Sequence, residues 1–206
     1  MTDNTSPTLS EQEIRSNKIK LLILILVPFV LMLVAWFIFY SGVGMPTGTS
    51  NKGTLINPPL QVNELLPEGA DLVASRENLQ WFFLLPSRSV CDEACEQRLY
   101  LTRQIRTALG KHTHKIQRLL LKEAGTELDS DFQALLSEEH NDLKVQDISW
   151  AKLEQALAAH DTAAATATTG GYYLADFRGF IMMYYGDQHT YKDTMKDVKF
   201  LLKYAP

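Results

Sequence analysis

The sequence has no surplus of charge of either sign. Its 20 basic and 24 acidic residues leave a formal net charge of −4, so it lacks the basic excess that nucleic-acid-binding proteins carry. No internal repeat is present, and cysteine is limited to Cys91 and Cys95. The composition therefore argues against nucleic acid as a partner, and any thiol chemistry of this chain must use these two residues.

Charge is absent altogether from residues 21–40, a run of twenty mostly apolar residues. At about 1.5 Å per helical residue this run spans the roughly 30 Å hydrocarbon core of a bilayer. Pro28 lies inside it, and a membrane helix can accept a kink there. A cleaved signal peptide is the competing interpretation, but its apolar region is shorter, about 7–15 residues. We predict a single membrane-spanning helix that is not cleaved.

The flanking charges predict the orientation of this helix. Arg15, Lys18 and Lys20 precede it, whereas the first basic residue after it is Lys52. Basic residues favour the cytoplasmic side, so residues 1–20 are predicted to be a cytoplasmic tail. The remainder is exported, which in a bacterium places it in the periplasm, on the inner (plasma) membrane. Thiols oxidise in that compartment unless a reductant or a metal protects them.

The exported part is long enough for one domain. Residues 41–77 are predicted to be a tether and leading segment, because their first half is rich in Gly, Pro, Ser and Thr. Within them, residues 53–62 can form a partner-binding strand, although an edge segment of the domain is the commoner arrangement for such a stretch. Residues 78–206 are predicted to form the domain itself.

Hydrophobic periodicity indicates alternating strands and helices in this domain. A buried strand at 79–86 is followed by a helix at 92–110, a second strand at 114–123, helices at 129–143 and 149–160, a hairpin at 170–186 that turns at Asp176–Gly179, and a helix at 191–205. This order is that of a thioredoxin-like sheet. The predicted fold class is α/β, a thioredoxin-like domain on one N-terminal transmembrane helix.

The cysteine pair lies where the first strand meets its helix. Free backbone N–H groups and the helix dipole favour a thiolate at such a junction. With a spacing of four residues, Cys91 and Cys95 have Cα atoms about 6 Å apart in a helix, which is within disulfide range. Two thiolates also suit Cu(I), a soft ion. A redox pair, a copper(I) site and an ordinary stabilising disulfide all remain open.

These features together resemble the SCO/SenC family, whose members are membrane-anchored thioredoxin-like proteins that help to build the copper sites of cytochrome c oxidase. The resemblance rests on the anchor, the Cys-x-x-x-Cys of "CDEAC", the helix after it, the hairpin and the last helix, and it covers most of residues 78–204. It implies copper(I) as the metal at Cys91 and Cys95. It also implies respiratory oxidase subunits or other assembly factors as partners.

The sequence departs from that family at its third copper ligand. The family's histidine is expected near Thr168, where no histidine stands, and the nearest one upstream is His160. The prolines that follow the family's cysteines are replaced by Asp92 and Glu96. Ordinary thiol-disulfide oxidoreductases carry a cis-proline opposite the cysteines, but no proline occurs between residues 146 and 185. Thiol oxidoreductase catalysis therefore ranks below an assembly role and below an interaction module with a structural disulfide.

The remaining histidines offer weaker signals. His112 and His114 form a His-x-His in a predicted polar turn, where a solvated pair is commoner than a metal site. His189 is predicted to lie near the start of the last helix. His140 is predicted to be an exposed helix residue.

Overall fold

The structure is a computed structural model that describes residues 11–42, 50–68, 80–159 and 170–204. It divides into two compact units, residues 1–50 and 51–206. The first contains one helix, α1 (Glu11–Ser41), which includes Pro28. Its segment Ile14–Ser41 is long and apolar enough to cross a membrane. This helix contains the predicted span and extends it at the N-terminal end.

The second unit is a six-stranded mixed sheet with helices on both faces, which confirms the predicted thioredoxin-like α/β class. The sheet order is β1-β6-β5-β2-β3-β4. β2, β3 and β4 are parallel, and β5, β6 and β1 run antiparallel to their neighbours. The strands are β1 (Thr54–Gln61), β2 (Trp81–Pro86), β3 (Ile116–Glu123), β4 (Leu143–Ile148), β5 (Tyr172–Ala175) and β6 (Phe180–Tyr185). The helices are α2 (Glu93–Ala108), α3 (Ser130–Glu139), α4 (Trp150–Ala158) and α5 (Tyr191–Tyr204), with 3₁₀ turns at Val62–Leu65 and Gly110–Lys115.

Alternation along β2 explains why its sequence is apolar throughout. Trp81, Phe83 and Leu85 face one core, which α2, α3 and α5 cover, while Phe82 and Leu84 face a second core under α4. A strand that is buried on both faces needs apolar residues at every position. β2 is therefore the centre of the domain, and it ends next to the cysteines.

Capping residues mark the helix ends, but α3 stops at Glu139, four residues before the predicted end, because the chain enters β4 (Leu143–Ile148), a strand that the sequence analysis did not predict. Asp129 caps α3 by accepting a hydrogen bond from the Asp131 N–H, and Ser149 caps α4. Gly110 follows α2 with a φ of 54°, a conformation that glycine adopts without strain.

β1 lies within the segment that the sequence analysis assigned to a tether and leading segment. It pairs with β6 at one edge of the sheet, so the folded unit includes residues well before 78. Its two prolines suit an edge position, where one side of the strand makes no ladder. The edge interpretation of residues 53–62 is confirmed. Residues 43–49 and 69–77 of the same segment lie outside the described residues.

His140 is buried, with 3% of its surface exposed, so the prediction of an exposed helix residue is wrong. α3 ends at Glu139, and the chain turns at His140 to enter β4, where the Leu143 N–H bonds to the His140 carbonyl. The turn directs the imidazole inward. Burial, reinforced by the charge of Arg118, lowers the pKa of His140.

Candidate functional site

The two cysteines bracket the first residues of α2. Cys91 stands before the N-cap residue Asp92, and Cys95 lies in the first turn. They are joined in a disulfide, with Cα atoms 5.2 Å apart. The prediction that they lie close together and pair is confirmed.

The cap residue fixes the position of Cys95. An Asp92 side-chain oxygen accepts a hydrogen bond of 2.8 Å from the Cys95 N–H, and the Asp92 carbonyl accepts one from the Glu96 N–H. Aspartate is one of the preferred N-cap residues because it satisfies N–H groups that lack an intrahelical partner. Asp92 thus starts the helix and holds one cysteine at its N-terminus.

The two sulfurs differ in exposure. Cys95 is buried, and its Sγ lies 3.6 Å from the hydroxyl oxygen of Ser87. Ser87 is itself held at the end of β2 by a hydrogen bond from its N–H to the Leu121 carbonyl. Cys91 is partly exposed. A thiolate from solvent therefore has better access to Cys91, and the Ser87 hydroxyl can donate to the Cys95 sulfur once the disulfide is broken.

Charges of both signs surround the pair. The N-terminus of α2 and Arg98, one turn after Cys95, favour a thiolate. Asp92, Glu93 and Glu96 stand in the same first turn and oppose it. Partial burial lowers the pKa of Arg98, while the charges of Asp92 and Asp187 act in the opposite direction.

A groove extends from the cysteines along α2. A cavity of about 530 Å³ is lined by Ser87 and Cys95 at one end, and a second cavity of about 400 Å³ reaches His189 at the other. Arg98, Gly170 and Asp187 are among the residues that line both cavities. We call the two cavities together the α2 groove.

Gly171 shapes one wall of this groove. A Cβ atom at this position would collide with the backbone carbonyl of Tyr185 and with the ring of Tyr184. Position 171 therefore needs a residue without a Cβ atom, because the backbone of the neighbouring strand approaches it closely. Any side chain there would push β5 away from β6.

The structure describes only some of the other sequence candidates. Thr168 and His160 lie outside the described residues. His112 and His114 lie in the 3₁₀ turn Gly110–Lys115, partly exposed and exposed respectively. Across the described ranges no group of three or more His, Cys, Asp or Glu side chains is arranged to hold a metal ion.

His189 lies just before α5, as predicted. Its Nδ1 accepts a hydrogen bond of 3.0 Å from the Gly186 N–H, and its ring meets the ring of Tyr185 edge-on. Sequence reasoning did not associate His189 with the cysteines, nor did it single out Ser87 or Arg98. Arg98 could have been found, because it follows Cys95 by three residues on one helix. Ser87 and His189 reach the groove only through the fold.

Residues 81–205 match the family described as the transmembrane-like, thioredoxin-like, C-terminal domain. No curated protein matches the sequence. Solved structures with a similar fold include yeast Sco1 with copper bound, at 14% identity and a TM-score of 0.48, covering 77% of this chain and 97% of that one. Another is an SCO1/SenC family lipoprotein from Bacillus anthracis, at 12% identity and a TM-score of 0.44, covering 60% and 82%.

A thiol:disulfide interchange protein from Bacteroides sp. is similar at 10% identity and a TM-score of 0.43, covering 74% of this chain and 91% of that one. At these identities the likeness concerns the fold. On the family match over residues 81–205, the chain belongs to the transmembrane-like, thioredoxin-like C-terminal domain family.

Proposed function

We propose that this chain is a membrane-anchored accessory protein that assists the assembly of a copper-containing respiratory oxidase through Cys91 and Cys95. The observation that carries the proposal is the cysteine pair itself, joined at a strand-to-helix junction and adjoining the α2 groove. The sequence resemblance to SCO/SenC proteins supplies the link to the oxidase. Oxidase subunits or other assembly factors are the proposed partners.

The proposed location is the bacterial inner membrane, with the N-terminus in the cytoplasm and residues 51–206 in the periplasm. The basic residues before α1 support this orientation. A periplasm-active reporter fused after Pro206 should be active, and a cytoplasm-active reporter at the same place should be silent. The reverse pattern would refute the compartment on which the proposal depends.

The pair can exchange electrons with a dithiol partner. A thiolate of the partner attacks the more accessible Cys91 sulfur, and the Cys91–Cys95 bond breaks with Cys95 as the leaving group. The Ser87 hydroxyl, already near Cys95, can donate to the departing sulfur. The second thiol of the partner then releases Cys91. The partner is oxidised to a disulfide, and Cys91 and Cys95 gain two electrons and two protons.

The reduced pair fits Cu(I) but not Cu(II). Two sulfurs are a soft donor set that suits Cu(I), and their Cα atoms are 5.2 Å apart. Cu(II) prefers nitrogen and oxygen ligands in a larger set, and no such cluster occurs among the described residues. We therefore assign Cys91 and Cys95 as the residues that would hold copper(I), which is the cargo in this proposal.

An anaerobic Cu(I) titration against a competing chelator tests the assignment. The reduced full chain in detergent should bind Cu(I), and Cys91→Ser and Cys95→Ser should each lose most of the affinity. His112→Ser is a matched control, because it removes a metal-ligating side chain far along the chain from the pair, and it should bind like the wild type. Equal uptake by the wild type and Cys91→Ser would exclude a dithiolate site. Tight Cu(II) binding would mean that an imidazole such as His160 completes the site.

The alternative is an interaction module whose disulfide is only structural. It is favoured by the burial of Cys95 in the same core as Leu99. The two functions predict different oxidase activities in a strain that carries Cys91→Ser. If the pair works in assembly, membranes from this strain should have low copper-oxidase activity. Wild-type oxidase activity in that strain, with normal amounts of the variant protein, would favour the structural disulfide.

A further inference from the structure

The solvent side of α5 carries a stripe of lysines. Lys192, Lys196, Lys199 and Lys203 recur every three or four residues, which places them on one face of the helix, and all four are exposed. The opposite face supplies Met195, Val198 and Leu202 to the core. The stripe therefore plays no part in packing the domain.

The two acids of α5 do not neutralise this stripe. Asp193 accepts hydrogen bonds from the Thr190 N–H and hydroxyl at the start of the helix. Asp197 is buried and accepts hydrogen bonds from the N–H groups of Lys52 and Gly53. None of the ion pairs in the described part of the chain involves the four lysines. The face is thus positively charged on a protein whose net charge is −4.

Two exposed aromatic side chains adjoin the lysines. Phe200 and Tyr204 are 54% and 67% exposed, and their ring centroids lie 5.0 Å apart. The Lys203 ammonium lies 5.3 Å from the Tyr204 ring centroid. Aromatic rings beside lysines are the combination that membrane–water interfaces favour.

The chain keeps α5 within reach of the membrane that α1 would occupy. The backbone N–H of Lys52 donates a hydrogen bond to the Asp197 carboxylate of α5, and α1 ends at Ser41. Even when fully extended, the residues between Ser41 and Lys52 span no more than about 40 Å. Because α5 is tethered at this distance, the effective concentration of lipid headgroups around it is high, and even a weak affinity for them leads to binding.

We propose that the lysine-aromatic face of α5, formed by Lys192, Lys196, Lys199, Phe200, Lys203 and Tyr204, binds anionic phospholipid headgroups at the surface of the membrane that anchors α1. The lysines supply the attraction, about fivefold in affinity for each lysine near an anionic surface. The two rings enter the headgroup region. The proposal rests on the anchoring by α1, but not on copper or on the cysteines, and it gives the domain a preferred orientation on the membrane.

A photocrosslinking experiment on the full chain in lipid nanodiscs tests this contact. With p-benzoylphenylalanine in place of Phe200, irradiation should attach lipid to the protein several times more efficiently in nanodiscs that contain phosphatidylglycerol than in phosphatidylcholine alone. High salt should reduce the difference. Val145 is exposed on β4, the edge strand at the other end of the sheet from β1. The same probe in place of Val145 should give little lipid adduct in either nanodisc.

Charge reversal separates the lysine stripe from a general effect of charge. The triple change Lys196→Glu, Lys199→Glu and Lys203→Glu should reduce the adduct at position 200 to the level seen in phosphatidylcholine. The matched control, Lys111→Glu, Lys144→Glu and Lys152→Glu, alters the net charge equally at exposed lysines elsewhere and should leave the adduct unchanged. Equal adducts in both lipids, or crosslinks between protein molecules instead, would overturn the proposal. Retention of the protein in the nanodisc reports the anchoring separately.

Discussion

Replacing Asp142 with alanine should cost far more stability than replacing Asp147, although both carboxylates pair with a basic residue of β3. Asp142 accepts a 2.9 Å hydrogen bond from Arg118, whose side chain is fully buried. Asp147 pairs with Lys122, whose side chain is 18% exposed, and is itself 44% exposed. Asp142 also accepts a 3.2 Å hydrogen bond from Arg106, whose side chain is 28% exposed. The two aspartates therefore differ in the burial of the partner and in the number of partners, and both differences make the loss of Asp142 the more costly.

The magnitude follows from the partners of Arg118. Its guanidinium also donates to the Leu99 carbonyl and the Thr102 hydroxyl of α2, so it cannot turn toward solvent when Asp142 is lost. Removal of one partner of a buried ion pair costs about 3–5 kcal/mol. Because Asp142 is 23% exposed, water can partly replace it, and we expect a loss of about 3 kcal/mol. Asp147→Ala should cost about 1 kcal/mol or less.

Urea unfolding of the full chain in detergent measures both losses. The fluorescence of Trp81 and Trp150 reports the folded unit if Trp36, in α1, is first changed to phenylalanine. Adding Arg118→Met to Asp142→Ala should restore part of the stability, because no unpaired charge then remains buried. Similar losses for Asp142→Ala and Asp147→Ala, or no recovery in the double variant, would refute the argument.

Three further predictions concern single side chains. Burial lowers the pKa of His140, so as the pH falls the imidazole is protonated in the unfolded chain before it is protonated in the folded chain. His140 should therefore leave the free energy of unfolding undiminished above about pH 6.5, the ordinary pKa of histidine, and should lower it as the pH drops below that value. His140→Leu should lack this part of the pH dependence of the urea midpoint. Asp92→Asn keeps a good N-cap, whereas Asp92→Ala should lower the free energy of unfolding by about 1 kcal/mol in the same urea assay. Asp197→Ala should release the start of β1 and speed cleavage at Lys52 by trypsin, and an unchanged cleavage rate would show that Asp197 does not hold this segment.

Features that are local in sequence were predictable. A charge-free run and a fully apolar strand can each be recognised within a few residues, because the hydrophobic pattern that predicts them is local. The cysteine pair belongs to this class. Its spacing allowed a disulfide under oxidising conditions, since four residues at a helix start bring two Cα atoms within range.

Features that depend on distant partners were not predictable. β4 lies at the sheet edge, and only Ile148 of its six residues is buried, so it lacks the continuous apolar run that identifies β2. Arg118 looks like an exposed residue of an amphipathic strand, yet Asp142, 24 residues later, allows it to be buried. His140 is buried because the chain turns there between α3 and β4, and its position in the sequence does not reveal this turn. The α2 groove likewise depends on loops that meet only in the folded chain.

The charges around the cysteines bear on which thiol role is the better account. Strongly oxidising thiol proteins stabilise a thiolate with a helix N-terminus and neighbouring cations. Here the helix N-terminus and Arg98 also favour a thiolate, but three carboxylates oppose them, Asp92 at the N-cap and Glu93 and Glu96 in the first turn, and each disfavours negative charge on the sulfurs. The same carboxylates attract a cation, which removes the repulsion when it binds two thiolates. We infer that the disulfide is a weak oxidant, so that the exchange described above serves to reduce the pair, and that the reduced pair is suited to holding a soft cation or to reducing the disulfide of another protein. This inference agrees with the assembly role proposed above.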